Sequence, residues 1–187
     1  GNRRGVFQFE SEGIQRFLEE AQPDCIEDLM ALNAMYRPGP MDNIPQFIDA
    51  KLGRRPILYP DPCLEDILKE TYGVIVYQEQ VMQIVNKVAG YSLGQADVLR
   101  RAMGKYGSRK KTEIVQDEKK KFIAEALVNG FTGNVADRIF DLLISSAGYS
   151  FLKAHAASYA LISYQTAYLK ANFQDEFNKV FMDDRGY

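Results

Sequence analysis

The chain has 187 residues, 46 % of them hydrophobic and 26 % charged, with one histidine, two cysteines and a net charge of −2 at neutral pH. That length fills one well-packed core or two small ones, and the composition is that of a folded globular protein. No apolar run approaches the ~20 residues that span a membrane, no signal-peptide pattern opens the chain, and a lone His155 with distant Cys25 and Cys63 matches no zinc spacing; the expectation is a reduced, cytoplasmic protein with two structural thiols.

Gly5 to Glu10 alternates apolar and polar residues, which predicts a short strand. Ser11 is placed to cap a helix with Ile14, Phe17, Leu18 and Ala21 on one stripe, and Pro23 ends it. Asp24-Cys25-Ile26-Glu27 reads as a capping box with the aspartate at the N-cap. It opens a helix that turns Ile26, Leu29, Met30 and Leu32 inward. That helix stops at Tyr36-Arg37-Pro38-Gly39-Pro40, because Pro38 disfavours helical geometry at Arg37 and Pro40 forbids continuation. The turn either holds Arg37 in a defined place or is a plain connection with an exposed arginine; its composition fits both.

A short helix follows around Asn43 to Pro45 and ends near Gly53. The proline-rich run from Arg54 to Pro62 is extended, and a second short helix carries Leu64, Ile67 and Leu68 up to Thr71-Tyr72-Gly73. Gly73 to Tyr77 is a β-branched run of strand character. Gln78 to Ala89 is helical, with Val81, Ile84, Val85 and Val88 on one stripe and Gly90 beyond its end. Ser92-Leu93-Gly94-Gln95 is a second capping box. Its helix runs into Leu99-Arg100-Arg101-Ala102-Met103-Gly104-Lys105, with the twin arginines in the last turn, where the dipole favours cations. A loop from Tyr106 to Lys111 leads to a charged helix, Thr112 to Val128, with Ile114, Phe122, Ile123, Ala126 and Leu127 as its apolar side. Val135, Ile139, Phe140, Leu142 and Leu143 mark the next helix, and a last one covers about Asp175 to Met182. The pattern is mainly α, with at most one or two very short strands.

Charge is segregated along the chain. Arg100 to Lys121 holds nine basic and three acidic residues, a net of +6, against −8 for the remainder. Such segregation points to a phosphate-facing surface, although Lys119, Lys120 and Lys121 read more simply as a solvated helix face. The stretch from Gly148 to Lys170 reads as one helix with Ser150 as its cap and with Lys153 and His155 in its first turn. Unpaired N–H groups and the positive dipole end favour an anion there, and two basic groups at that pole make sense if a phosphate occupies it. The simpler alternative is a buried, alanine- and tyrosine-rich core helix with a solvated first turn.

Seven blocks occur in one order: Val6 to Ser11, Tyr36 to Pro40, Tyr59 to Pro62, Thr71 to Gly73, Tyr77 to Met82, Leu99 to Lys105 and Ser163 to Thr166. Together they resemble the fingers region of the family C replicative DNA polymerases of bacteria, the alpha subunits of DNA polymerase III. The resemblance covers essentially the whole chain. It implies that residues 1–187 are an irregular multi-helix fingers region of a larger nucleotidyltransferase, without its palm, thumb, PHP and clamp-binding parts, and inactive alone. The implied partners are a DNA primer-template, a deoxynucleoside triphosphate, the palm domain and replisome subunits reached through other parts, in the bacterial cytoplasm and with no membrane. Mg2+ is implied for the palm, with no metal, cofactor or catalytic residue in this segment; Asp42, Asp49, Asp61, Asp66 and Asp97 read as caps, turns or solvated positions.

Carried over block by block, Arg100 and Arg101 fall on the family's twin arginines, expected to meet the triphosphate or the nearby template backbone, and Lys105 follows in the same block. Lys153 and His155 fall on a block that usually reads Phe-Asn-Lys-Ser-His, expected near the nucleotide. Leu152 stands where asparagine is usual and Ala154 where serine is usual. Arg37, Arg109, Lys110 and Lys111 are candidate DNA contacts. The competing readings are a stand-alone helical nucleic-acid-binding module that uses the Arg100 to Lys121 surface, and a purely structural or protein-interaction domain.

Overall fold

The computed structural model describes residues 4–106 and 113–184. Arg109, Lys110 and Lys111 lie outside the described residues. The protein is mainly α, and no strand occurs among the described residues. Ten helices follow one another among the described residues: α1 (Glu12–Ala21), α2 (Ile26–Met35), α3 (Ile44–Lys51), α4 (Glu65–Leu68), α5 (Gln78–Ala89), α6 (Leu93–Tyr106), α7 (Glu113–Val128), α8 (Gly133–Ala147), α9 (Lys153–Asn172) and α10 (Gln174–Asp184). Short 3-10 turns precede α3 and flank α4 on both sides.

These helices bury two cores. In the first, Ile14 and Leu18 of α1, Ala31, Leu32 and Met35 of α2, and Phe47 and Ile48 of α3 meet Ala156 and Ala160 of α9. Small residues on α9 let α2 lie along it at close range. In the second core, Leu64 and Leu68, the stripe Val81, Ile84, Val85 and Val88 of α5, Leu99 and Met103 of α6, Phe122 of α7 and Phe140 of α8 pack together. Phe122 and Phe140 meet with ring centroids 5.3 Å apart. The extended run before α5 joins the cores: Val74, Val76 and Tyr77 enter the first and Ile75 enters the second. The alternation of an extended chain thus serves both at once.

Several local expectations fail for identifiable reasons. Gly5 to Glu10 is a run of turns, with positive φ at Gly5 (83°) and Gln8 (63°), and Phe9 N–H donates to the Val6 carbonyl at 3.1 Å. Val6 and Phe9 are buried three residues apart, so the segment folds over the first core and finds no partner strand. The run before α5 makes only one parallel bridge, Tyr77 to Phe151. Cys25 occupies the N-cap of α2, because the Asp24 carboxylate is taken by Lys51 at 3.1 Å. Leu152, not Ser150, sits at the N-cap of α9; Ser150 is buried and its hydroxyl donates to the Ala147 carbonyl at 3.5 Å. On α7, Val115, Phe122 and Ala126 are buried, while Ile114 and Leu127 are exposed.

Other expectations hold. The Ser92 box closes, with Ser92 N–H donating to Gln95 Oε1 at 2.9 Å and Gln95 N–H to Ser92 Oγ at 3.3 Å. Helix α5 has the expected limits and ends at Gly90 with φ 70°. No described helix is long and apolar enough to cross a membrane.

Candidate functional site

Three of the basic residues singled out above, Arg37, Lys153 and His155, lie at the connection from Gly148 to Leu152, between α8 and α9. Helix α6 reaches it at Gly104, where a Cβ would lie 3.3 Å from the Ala147 carbonyl oxygen and 4.0 Å from the Gly148 Cα. The C-terminal end of α6 is therefore set against the end of α8, where the connection into α9 begins, at a distance that a glycine allows without adjustment. The extended run before α5 reaches the connection from another side: Phe151 N–H donates to Val76 O at 2.9 Å and Gln78 N–H to Phe151 O at 2.8 Å.

On α6 the twin arginines share one carboxylate. Asp97 Oδ1 accepts from Arg100 Nε at 3.1 Å and from Nη2 at 2.8 Å, and its Oδ2 lies 2.6 Å from Arg101 Nη2. Hydrogen bonds from Arg100, ahead of those from Arg101, hold the Asp97 carboxyl below its ordinary value against the opposing effect of desolvation. The Arg100 side chain is 14 % exposed and that of Arg101 is 73 % exposed. The pair is one to two turns inside a helix that extends to Tyr106, and only Lys105 is in the basic last turn. Asp97, rather than the end of the dipole, therefore accounts for two adjacent arginines that point in different directions. The spacing Asp97, Arg100, Arg101 is a readable i, i+3, i+4 signal, and Asp97 is a paired carboxylate instead of the merely solvated position expected from sequence.

At the start of α9 the structure separates the two expected residues. Lys153 and His155 are two positions apart, which turns them about 200° from one another on a helix. The Lys153 ammonium meets both oxygens of Glu70 at 2.7 Å and lies 5.6 Å from the centroid of the Tyr77 ring. Its backbone N–H donates to both oxygens of Glu79, at 3.1 and 3.0 Å. Negative charge does collect at this helix end, as its chemistry demands, and the chain's own carboxylates supply it. Lys153 also lines a cleft of about 490 Å³ with Asp66, Lys69, Glu70, Gln83, Asn86 and Lys87. His155 is exposed in an aromatic row, its ring 5.2 Å from Phe151 and 4.0 Å from Tyr159.

Arg37 is half-buried. Its Nε donates to Ala34 O at 2.8 Å and its Nη2 to Tyr149 O at 3.0 Å, and its guanidinium carbon lies 4.4 Å from the Phe151 ring centroid. Burial lowers its pKa from the ordinary arginine value. The turn does hold Arg37 in place, and it aims it inward, at the connection. Lys119 also differs from the sequence reading: it bridges helices, to Asp137 at 2.8 Å and Asp141 at 3.0 Å on α8. Lys120 and Lys121 are solvated, each paired three residues back, with Asp117 and Glu118.

Among the described residues, one cluster has ligand atoms close enough to hold a metal ion: Asp24, Cys25 and Asp28. The Lys51 ammonium is 3.1 Å from Asp24 and 3.0 Å from Asp28, so a cation already serves those carboxylates. Asp66 faces Lys87 at 2.8 Å, Asp97 holds the arginines and Glu70 holds Lys153. These residues do not fit a two-metal phosphoryl-transfer centre, which needs acidic groups converging on one open position.

The chain is thus a helical domain in which a partly exposed aspartate, Asp97, pairs with twin arginines on α6. The family it belongs to is the bacterial DNA polymerase III alpha subunit finger domain, whose family model matches residues 1–130. The chain is 57 % identical over 177 residues to the DNA polymerase III subunit alpha of Treponema pallidum and 55 % identical over 177 residues to that of Borreliella burgdorferi, covering 95 % of this chain and 15 % of each relative. It is 47 % identical over 173 residues to that of Bacillus subtilis, covering 92 % of this chain and 15 % of the relative. The chain thus spans about 15 % of the length of these relatives.

Proposed function

We propose that this domain positions the incoming deoxynucleoside triphosphate over the primer-template of a DNA-directed DNA polymerase. The observation that supports the reading best is the placement of Arg100 and Arg101, oriented by one carboxylate, on a helix whose Gly104 rests against Ala147 and Gly148, where the connection into α9 begins. Guanidinium groups suit a triphosphate because their charge is permanent and their donors are forked. Arg101, largely exposed, is the arm that reaches the phosphates; Arg100, more enclosed, sets its direction through Asp97. Lys105 and His155 are assigned as second contacts to the phosphates. Lys153 reaches a phosphate by exchanging Glu70 for it.

Activation of the primer 3′-hydroxyl and stabilisation of the leaving pyrophosphate, the part of the chemistry that Mg2+ supplies when bound, is assigned to acidic residues of a palm domain outside this chain. This chain's residues orient the triphosphate and neutralise charge on its outer phosphates. Arg109, Lys110 and Lys111, outside the described residues, are assigned to the DNA backbone by their charge alone. The stand-alone nucleic-acid-binding reading is weaker, since Lys119, Lys120 and Lys121 are committed to carboxylates.

The test is the Arg100→Ala/Arg101→Ala double variant of the intact polymerase. Steady-state kinetics are expected to show a raised triphosphate KM or a lowered kcat with primer-template affinity retained. Wild-type kinetics in the double variant overturn the reading.

A further inference from the structure

We infer that Arg37 is a positioning residue for the nucleotide site, acting through the Gly148 to Leu152 connection instead of touching DNA. The inference rests on the proposed triphosphate role of α6 and α9. Three contacts define the guanidinium: the Ala34 carbonyl at the end of α2, the Tyr149 carbonyl, and the face of Phe151. Two in-plane hydrogen bonds and one ring face fix a planar group in every direction. Arg37 leaves α2 at a Pro-Gly-Pro turn whose Gly39 has φ 100°, so its own backbone is also held.

What it grips is the piece of chain that leads from the contact between α6 and the end of α8 into α9. Gly148, next to Tyr149, lies against Gly104 of α6. Phe151 is bonded to the run before α5 on both its N–H and its carbonyl and stands 5.2 Å from the His155 ring. Two residues later Lys153 begins α9. A shift of this connection therefore moves Lys153 and His155 relative to Arg100 and Arg101. The Tyr149 carbonyl would otherwise lack the charged donor that locates it. A lysine in place of Arg37 keeps the charge but, with a single ammonium, reproduces neither the fork nor the stacking.

The experiment uses the full-length polymerase with Arg37→Lys, Arg37→Gln and Phe151→Leu, beside the Arg100→Ala/Arg101→Ala control. Triphosphate KM and kcat, primer-template affinity against salt, and Tm are measured. Arg37→Lys and Arg37→Gln are both expected to raise the triphosphate KM, on the order of tenfold, as misplacement of binding groups does. DNA affinity and its salt dependence stay at the wild-type values. Phe151→Leu, which leaves both hydrogen bonds, moves KM the same way by less, and it decides the matter if the Arg37 variants fail to fold. A wild-type KM in Arg37→Lys, with a salt slope reduced by about one in Arg37→Gln, means a direct phosphate contact and overturns the inference. A raised KM in the control with none in the Arg37 and Phe151 variants overturns the inference alone. Wild-type KM and kcat in the control overturn the proposed function, and the inference with it.

Discussion

Both carboxylate oxygens of Glu70 lie 2.7 Å from the ammonium of Lys153, 83 residues further along the chain. The pair is partly open to solvent, with side-chain exposures of 31 % and 37 %, so its net worth is at most about 1 kcal/mol. A triphosphate that uses Lys153 must displace that carboxylate. Glu70→Gln is therefore expected to lower the triphosphate KM of the intact polymerase by up to about fivefold, the equivalent of the same 1 kcal/mol, with Tm nearly unchanged. Steady-state titration checks this; a raised KM means that Glu70 aims the lysine instead of competing for it.

Asp97 couples the twin arginines. Asp97→Asn removes the charge that both hold, and the triphosphate KM is expected to rise about fivefold, the effect of a weakened pair of ion contacts. The same carboxyl gives a pH signature. Its folded pKa is depressed below 3.8, first by the hydrogen bond from Arg100. Its contribution to stability is therefore fully present above that value and is lost as pH falls through the lower, folded one. Urea unfolding followed from about pH 6 to pH 2 is expected to show a smaller acid loss in Asp97→Asn than in the wild type.

Leu152 occupies the N-cap of α9 with extended backbone and no side-chain hydrogen bond. Glu79 serves the N–H of Lys153, which leaves later first-turn donors for a side chain at the cap. Leu152→Asn, the residue that the resemblance leads one to expect, is predicted to stabilise the protein by about 0.5–2 kcal/mol. A denaturant midpoint that does not rise would show that the cap is already satisfied.

Gly73 has φ 86°, and a Cβ on it would stand 2.6 Å from the Leu58 carbonyl oxygen. Gly73→Ala combines a left-handed penalty with a backbone clash, and it is expected to cost about 2–4 kcal/mol. Chemical denaturation reads this directly. A cost near zero would mean that the extended run from Arg54 yields freely.

Gln80 is buried and fully used. Its Oε1 accepts from Val76 N–H and Tyr77 N–H at 2.9 Å each, and its Nε2 donates to Ile67 O at 3.2 Å and to Thr71 Oγ1 at 2.8 Å. Gln80→Leu keeps the volume but strands two backbone donors, at about 1–3 kcal/mol each. A loss of about 2–5 kcal/mol in unfolding free energy is expected; a neutral result would mean that water replaces the amide.

The helices were legible because their signals are local. The stripe of α5 and its Gly90 stop, and the reciprocal Ser92 and Gln95 cap, depend on residues within a turn or two of one another. The failures came where a residue's partner lies elsewhere in the chain. Gly5 to Glu10 alternates like a strand, yet no second strand exists among the described residues for it to pair with, and Val6 and Phe9 turn down onto a helical core. Asp24 has the chemistry of a cap but is drawn to Lys51. Ser150 was a reasonable cap by type, but burial beside Ala147 removes it from that position.

The sequence by itself determined the mainly helical class, the order of most helices and the family. It also placed Lys153 and His155 in the first turn of one helix, since the turn is set by backbone geometry over a few residues. Only the tertiary structure decided what those residues face: Glu70 and Glu79 against Lys153, the Tyr149 carbonyl against Arg37, and Gly104 against Ala147. Such pairings span from 43 to more than 110 residues of chain. They follow from how helices cross once their apolar stripes are buried, and no periodicity along the chain records that crossing.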